Sequence, residues 1–195
     1  MLSDLINETN SHHTPMSNAK KSWKVFWDLQ CPYSKKNWEQ LSAIKAKFGD
    51  EYEFCINLTS LLFHPQAFTA QCAANWIAST KGLEAKRIFV NACFHQQDKY
   101  MNAAVGDARK SEIDIIFVNI ALDCNVIEEK DTDSFLAGMH DWDTGIKPAW
   151  TEHKEALALG VVSTPKHVID GVLMEGTESA WGKDEWAEYL SKRKM

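Results

Sequence analysis

The 195-residue sequence lacks three patterns that would assign a function by themselves. It has five cysteines, but no Cys-x-x-Cys or Cys-x-x-His pair, which argues against a structural zinc site. It contains no apolar run of about 18 residues, so no membrane span is predicted. A net charge of −6 argues against nucleic acid as a partner.

The amino end lacks the apolar core of a signal peptide. Residues 1–20 mix Ser, Asn, Thr, His and Lys without a period, and we predict a disordered tail there. Because there is no export signal and the cysteines are odd in number and widely spaced, we expect a cytoplasmic protein with reduced thiols. A hydrophobic content of 45% is sufficient for one sizeable core.

The most informative stretch begins with the apolar residues Val25–Leu29, which predict a buried strand. Cys31 and Pro32 follow, and the fixed φ of a proline suits the first turn of a helix. Apolar residues then recur at helical spacing as far as Gly49, which predicts a helix over residues 32–48. Residues 52–58 predict a second strand, and the strand–helix–strand order implies parallel pairing.

The remainder predicts helices followed by a hairpin. Residues 65–145 form a predicted helical insertion between two parts of one domain, 21–64 and 146–195. Within it, Leu83 begins a helix with Ile88 facing inward, and Ser111 with Asp114 forms a partial capping box. Residues 166–169 and 172–174 flank the hairpin signal Asp170-Gly171, and a helix over residues 184–193 closes the chain.

Cys31 lies where the first predicted strand gives way to the first predicted helix. Free backbone N–H groups and the positive end of the helix dipole at that point favour a thiolate over a thiol. A thiolate is the nucleophile of disulfide chemistry. The alternative is a small, buried and inert cysteine, which is also our interpretation of Cys55, Cys72, Cys93 and Cys124.

With Cys31-Pro32-Tyr33-Ser34 after a strand and Ser163-Thr164-Pro165 before a hairpin, the sequence resembles the thioredoxin superfamily. The closer resemblance is to its DsbA-like branch, which includes the kappa-class glutathione transferases. It covers about residues 22–195. It implies an α/β thioredoxin fold, in which a central mixed sheet is flanked by helices and an all-helical domain is inserted.

The resemblance also implies roles for individual residues. Cys31 matches the attacking cysteine, and Pro32 and Tyr33 match the pair that tunes the thiol and shapes its surroundings. Pro165 matches a cis-proline that faces the active sulfur. Thr164 matches the residue whose backbone pairs with an extended peptide or with glutathione.

Ser34 departs from the pattern, because the oxidases of the family have a second cysteine at that position. A hydroxyl group cannot form a disulfide, so the pair Cys31–Ser34 cannot store oxidising equivalents as an internal disulfide. We predict that Ser34 instead assists Cys31 by donating a hydrogen bond to the thiolate.

Three hypotheses for the function follow from these residues. In the first, Cys31 carries out monothiol exchange with glutathione as co-substrate, or with a protein segment that bears a thiol or disulfide. In the second, the protein is a kappa-type glutathione transferase or isomerase. In the third, it is a non-catalytic module that binds an extended segment. We expect no bound cofactor or metal, and leave a homodimer open.

Two further residues near this stretch carry predictions. His167 lies two residues after Pro165, so its ring is expected either near the sulfur or in solvent. Asp28 ends the first strand, and we interpret it as a turn residue rather than as a proton acceptor for Cys31.

Overall fold

The computed structural model describes residues 20–193, so the tail predicted for residues 1–20 lies outside the described residues except for Lys20. The helices and strands, in chain order, are β1 (Lys21–Trp27), α1 (Pro32–Phe48), β2 (Tyr52–Leu58), α2 (Pro65–Lys81), α3 (Leu83–His95), α4 (Asn102–Val105), α5 (Lys110–Asp123), α6 (Thr132–Met139), α7 (Lys147–Ala158), β3 (Lys166–Ile169), β4 (Val172–Leu173) and α8 (Lys183–Lys192). A π-helical turn over Trp142–Ile146 leads into α7.

The sheet is mixed, with the strand order β2-β1-β3-β4. β1 pairs in parallel with β2, as the strand–helix–strand order predicts, and Lys21 is opposite Tyr52. β3 runs antiparallel to β1 and to β4. The predicted hairpin turn is confirmed, because Asp170 and Gly171 both have positive φ between β3 and β4.

An aromatic cluster fixes the helices to the sheet. Trp23 in β1 is fully buried, and its ring lies 4.9 Å from Trp186 in α8 and 5.6 Å from Phe48 in α1. Trp27, at the end of the same strand, contacts Trp38 with ring centroids 5.0 Å apart. Large aromatic rings bury much apolar area at low entropic cost, so these few residues anchor both flanking helices.

Helices α2 to α6 lie within the predicted insertion of residues 65–145, and α2 begins at Pro65 and ends before Gly82. One cluster of buried side chains runs without a break from the sheet into these helices. The division at residues 64–65 and 145–146 therefore stays a prediction.

Two details of the helices differ from the sequence-based expectation. The carboxylate of Glu112 accepts a hydrogen bond from the Arg109 N–H at 2.7 Å, so the box at the start of α5 lies two residues earlier than the expected box of Ser111 and Asp114. Ile88 is 37% exposed and does not face inward. The two possible boxes have the same three-residue spacing, and in α3 the neighbouring Phe89 is the fully buried residue.

Within residues 20–193, none of the helices is both long enough and apolar enough to cross a membrane.

Candidate functional site

Cys31 occupies the N-cap position of α1, at the predicted junction of strand and helix. Its sulfur does not cap the helix: it makes no hydrogen bond to the first-turn amides that we expected to face it. The sulfur lies instead 3.4 Å from the carbonyl oxygen of Thr164, and only 3% of the residue is exposed. The contact suits a thiol that donates to a carbonyl, because S–H is a weak donor.

The loop before β3 provides the opposite wall of the site. The peptide bond between Thr164 and Pro165 is cis. Thr164 is buried, and its hydroxyl oxygen has no hydrogen-bond partner within the described part of the protein. An unpaired buried hydroxyl is uncommon in folded proteins.

Pro32 and Tyr33 lie at the surface of the site, where α1 begins. The side chain of Tyr33 is 64% exposed, although it is large and aromatic. Pro32 is exposed as the first residue of the helix. The structure thus brings Cys31 together with the Thr164–Pro165 loop and leaves Tyr33 free to contact an incoming molecule.

Ser34 is fully buried, and its hydroxyl is used differently from the prediction. Its Oγ accepts a hydrogen bond from the backbone N–H of Asp28 at 3.1 Å. No hydrogen bond between Ser34 and Cys31 occurs in the described chain. The hydroxyl binds Asp28 because the first turn of α1 packs back onto the end of β1, which places this N–H beside it.

Asp28 is the residue that the sequence-based interpretation missed. It is fully buried, and its carboxylate accepts hydrogen bonds from the N–H of Gln30 and the N–H of Leu61, both at 2.7 Å. The Nδ1 of His64 lies 2.9 Å from the same carboxylate. Burial raises the pKa of Asp28, and the hydrogen bonds from Leu61 and His64 oppose that shift.

Asp28 therefore joins the turn that carries Cys31 to the loop that leads into α2. It is not an ordinary turn residue, because three donors from two separate segments converge on it. The only sequence signal was an acidic residue at the end of a strongly apolar strand, three positions before the cysteine.

Two glutamine side chains hold the same turn from the helical side. Gln30 Oε1 accepts hydrogen bonds from the N–H groups of Gln66 at 2.6 Å and Ala67 at 2.9 Å, and so satisfies the free amides at the start of α2. Gln97 Nε2 donates to the carbonyl oxygens of Leu29 at 2.7 Å and Cys31 at 3.1 Å. The backbone around Cys31 is consequently fixed on both sides.

His167 is 2% exposed, so the expectation that its ring lies in solvent is wrong. Its Nδ1 accepts a hydrogen bond from Trp23 Nε1 at 3.0 Å, and its ring lies 4.4 Å from that of Trp186. Burial lowers its pKa to about 3, with a smaller contribution from Lys166. The imidazole is therefore neutral at physiological pH and belongs to the aromatic cluster.

The other cysteines are kept as protonated thiols by their surroundings. All five cysteines are free, and Cys72 and Cys93 are buried in α2 and α3 as predicted. Burial raises the pKa of Cys72 to about 12 and the pKa of Cys93 well above its usual value. Cys55 and Cys124 are only half-buried, so the expectation of full burial is wrong for these two, although burial raises the pKa of both. Among residues 20–193, no three His, Cys, Asp or Glu side chains are grouped as metal ligands would be.

The mixed sheet, the flanking helices and the helical insertion together define a thioredoxin fold of the DsbA-like type, which confirms the predicted fold class. No protein-family model and no curated protein matches the sequence. The solved structures similar to it are DsbA-like proteins at low sequence identity.

Three of these structures illustrate the similarity. A Pseudomonas syringae protein, provisionally described as a protein-disulfide isomerase, matches with a TM-score of 0.70 and 19% identity over 88% of this chain and 93% of its own. MdbA, a thiol-disulfide oxidoreductase from Corynebacterium diphtheriae, matches with a TM-score of 0.64 and 18% identity, over 90% of this chain and 85% of its own. The oxidoreductase DsbA from Xylella fastidiosa matches with a TM-score of 0.62 and 17% identity, over 92% of this chain and 88% of its own.

Proposed function

We propose that the protein is a thiol-disulfide oxidoreductase that works with the single thiol of Cys31, and that glutathione is its co-substrate. The observation that carries the proposal is the position of the Cys31 sulfur, 3.4 Å from the Thr164 carbonyl oxygen in the loop before β3. The described structural neighbours named as thiol-disulfide oxidoreductases support the general class of activity.

The proposed reaction has two exchange steps. The Cys31 thiolate attacks the sulfur of a glutathionylated protein on the glutathione side, which forms a Cys31–glutathione disulfide and releases the protein as a thiolate. A second glutathione thiolate then attacks the glutathione sulfur of that disulfide. This step releases oxidised glutathione and regenerates the Cys31 thiolate, so no resolving cysteine is needed.

Ser34 supports the monothiol part of the proposal. It occupies the position of a resolving cysteine, but its hydroxyl cannot form a disulfide and is bound to the Asp28 N–H. The other four thiols are kept protonated by burial. A supply of reduced glutathione is required for the second step, and we propose that the protein works in a reducing compartment such as the cytoplasm.

The unpaired hydroxyl of Thr164 and the exposed ring of Tyr33 are the groups that we propose contact the substrate. A hydroxyl that is buried without a partner gains more from a new hydrogen bond than one already satisfied. The extended backbone of a peptide or of glutathione, placed along the Thr164–Pro165 loop, would bring its sulfur beside that of Cys31.

A second candidate is a binding module without catalysis, and the low exposure of Cys31 favours it. A residue that is 3% exposed reacts slowly unless the neighbouring loop moves away. In this alternative the site recognises an extended segment through the backbone of Thr164, and the cysteine only fills space.

Mass spectrometry after exposure to oxidised glutathione tests the proposal. We expect one glutathionyl group, located on Cys31, and none after Cys31→Ser. Cys55→Ser is the matched control and should leave the modification unchanged. Ser34→Cys should convert the mixed disulfide into an internal disulfide between positions 31 and 34 and release the glutathione.

Other outcomes of the experiment favour the alternatives. An unmodified Cys31 after long exposure, in a folded protein, would favour the binding module. Modification spread equally over several cysteines would remove the special role of Cys31. Glutathione conjugation to an electrophile that survives Cys31→Ser would favour a transferase.

A further inference from the structure

A groove with a volume of about 530 Å³ runs between α1 and α3, on a surface that the proposed thiol chemistry does not use. The two helices run antiparallel along it. Trp38 Nε1 donates to Asn91 Oδ1 at 3.0 Å, and the ring of Trp38 lies 5.4 Å from that of Phe94. A groove of this volume is large enough for a small ligand or a short peptide.

The two ends of the groove are positively charged, although the whole chain has a net charge of −6. Lys35 lies at one end, and Lys45 and Arg87 lie at the other. Within residues 20–193, neither Lys35 nor Lys45 forms an ion pair. An unpaired lysine at the rim of a groove can bind an anion without first losing another partner.

Arg87 is the exception among these cations, because it is already bound to a carboxylate. The Glu84 carboxylate accepts two hydrogen bonds from the Arg87 guanidinium, and these lower the pKa of the Glu84 carboxyl. Lys45 lowers the same pKa more weakly from a greater distance. The free charge at this end is therefore mainly that of Lys45.

The middle of the groove differs from its ends. Its floor is made of the apolar side chains of Trp38, Leu41 and Phe94. Glu39 is the acidic residue that lines it, and it repels a negative charge in the middle of a bound molecule. The lining thus favours a ligand that is acidic at both ends and apolar between them.

The length of the groove narrows the class of ligand. Lys35 and Lys45 are ten positions apart on α1, which corresponds to about 15 Å at the rise of an α-helix. An extended peptide advances about 3.3 Å per residue, so about four to five residues span that distance. We propose that the groove binds a short acidic peptide segment, with acidic side chains about four residues apart and an apolar side chain between them.

The end of the groove at Lys35 adjoins the Cys31 turn. The N–H of Lys35 donates to the Cys31 carbonyl oxygen at 3.2 Å, which places the two residues one helical turn apart. A protein held by this groove is therefore presented close to the candidate site. Peptide binding itself needs no thiol, so the inference does not depend on the chemistry proposed for Cys31.

Fluorescence anisotropy with short labelled peptides tests the proposal on the full chain. The probe is Glu-Ala-Leu-Ala-Glu, blocked at both termini and carrying an uncharged dye. We expect saturable binding that weakens as salt is raised from about 0.05 to 0.5 M, since exposed charges are screened over that range. Gln-Ala-Leu-Ala-Gln should bind at least about fivefold more weakly. Ala-Glu-Leu-Glu-Ala, with equal charge but closer acids, should also bind more weakly.

Paired substitutions identify the groove as the binding surface. The double variant Lys35→Gln and Lys45→Gln should weaken binding of the probe by about fivefold. The matched control is Lys36→Gln with Lys154→Gln, which removes the same charge from exposed positions outside the groove and should change binding less than twofold. Absence of saturable binding, equal binding of the glutamine peptide, or equal weakening by both double variants would each overturn the proposal.

Discussion

Two buried polar clusters hold the molecule together, and they do so differently. The Asp28 cluster (Asp28, Gln30, Ser34 and His64) lies under the Cys31 turn. The Glu152 cluster (Gln71, Asn75, Lys86 and Glu152) lies between α2, α3 and α7. Asp28 is bound mainly by backbone N–H groups of irregular segments. Glu152 is bound mainly by side chains, and forms an ion pair with Lys86, whose side chain is 6% exposed.

The difference follows from what each cluster has to hold. A turn and a loop expose backbone amides that need an acceptor, and one buried carboxylate serves several of them. Helices satisfy their own backbone, so only side chains can join them by polar contacts. Gln71 Nε2 extends the second cluster to the sheet by donating to the Leu58 carbonyl oxygen in β2 at 2.8 Å, and it also donates to the Ala149 carbonyl oxygen in α7 at 2.9 Å.

The largest effect is expected from Lys86→Met, which breaks the Glu152 cluster. It leaves the Glu152 carboxylate largely buried without its counter-ion, at a cost of about 3 to 5 kcal/mol in the free energy of unfolding. Urea unfolding followed by circular dichroism measures this loss in the free energy of unfolding.

The control for this prediction is the double variant Lys86→Met with Glu152→Leu. The double variant has no buried carboxylate at position 152 that lacks a counter-ion, so it should recover most of the lost stability. If the double variant is as unstable as the single one, the ion pair is not the source of the effect.

The next effect concerns pH and the aromatic cluster beside β1. Because burial lowers the pKa of His167 to about 3, the unfolded chain binds a proton near pH 6.5 that the folded chain does not. The contribution of neutral His167 to the free energy of unfolding is therefore fully present above pH 6.5, and it is lost as the pH falls towards 3. Between pH 6.5 and 4 this loss amounts to about 3 kcal/mol, or about 1.4 kcal/mol per pH unit.

Unfolding free energies of His167→Phe over the same pH range isolate that contribution. The variant loses the acceptor for Trp23 Nε1 and is less stable at pH 7, but its stability should fall less steeply on acidification. His95→Gln, which changes an exposed histidine, should keep the slope of the wild-type protein. Identical slopes for the wild type and His167→Phe would show that His167 is not kept neutral by burial.

The smallest of the three effects is expected at the Asp28 cluster. In Asp28→Asn an amide group replaces one carboxylate oxygen, so a buried donor faces either the N–H of Gln30 or the N–H of Leu61. We expect a loss of about 2 kcal/mol in unfolding free energy, measured with denaturant. Asp50→Asn, on an exposed turn after α1, should cost less than about 0.5 kcal/mol.

A second measurement on Asp28→Asn relates this cluster to the candidate site. If Asp28 fixes the turn that carries Cys31, the alkylation rate of Cys31 by iodoacetamide should change in the folded variant. The same rate measured in Lys86→Met should stay close to that of the wild-type protein wherever the variant remains folded. An equal change in both variants would mean that the two clusters do not differ in their relation to Cys31.

The sequence predicted best those elements that are defined by neighbouring residues. The strand–helix–strand unit, with α1 over Pro32–Phe48, follows from an apolar period and from the proline at its start. The Asp170-Gly171 turn follows from the positive φ that it requires. The sequence was less informative for α5, where the same period allowed the cap to be assigned to Ser111 instead of Arg109.

Side-chain partners were harder to predict than the elements that carry them. The contact of Cys31 with Thr164 spans 133 positions, and that of Trp23 with His167 spans 144. No local pattern shows which nitrogen, oxygen or sulfur meets which across such separations. The burial of Asp28 and the use of the Ser34 hydroxyl were missed for the same reason.

The sequence alone determined the order of strands and helices, the position of Cys31 at the start of α1, and the absence of a second cysteine at position 34, because each depends on residues close together in the chain. Only the tertiary structure decided that the Cys31 sulfur turns to the Thr164 carbonyl, that Asp28 collects donors from two segments, and that cations line both ends of the α1–α3 groove. These contacts arise when distant segments pack, and the partner of a buried polar atom is set by the segment that lies against it.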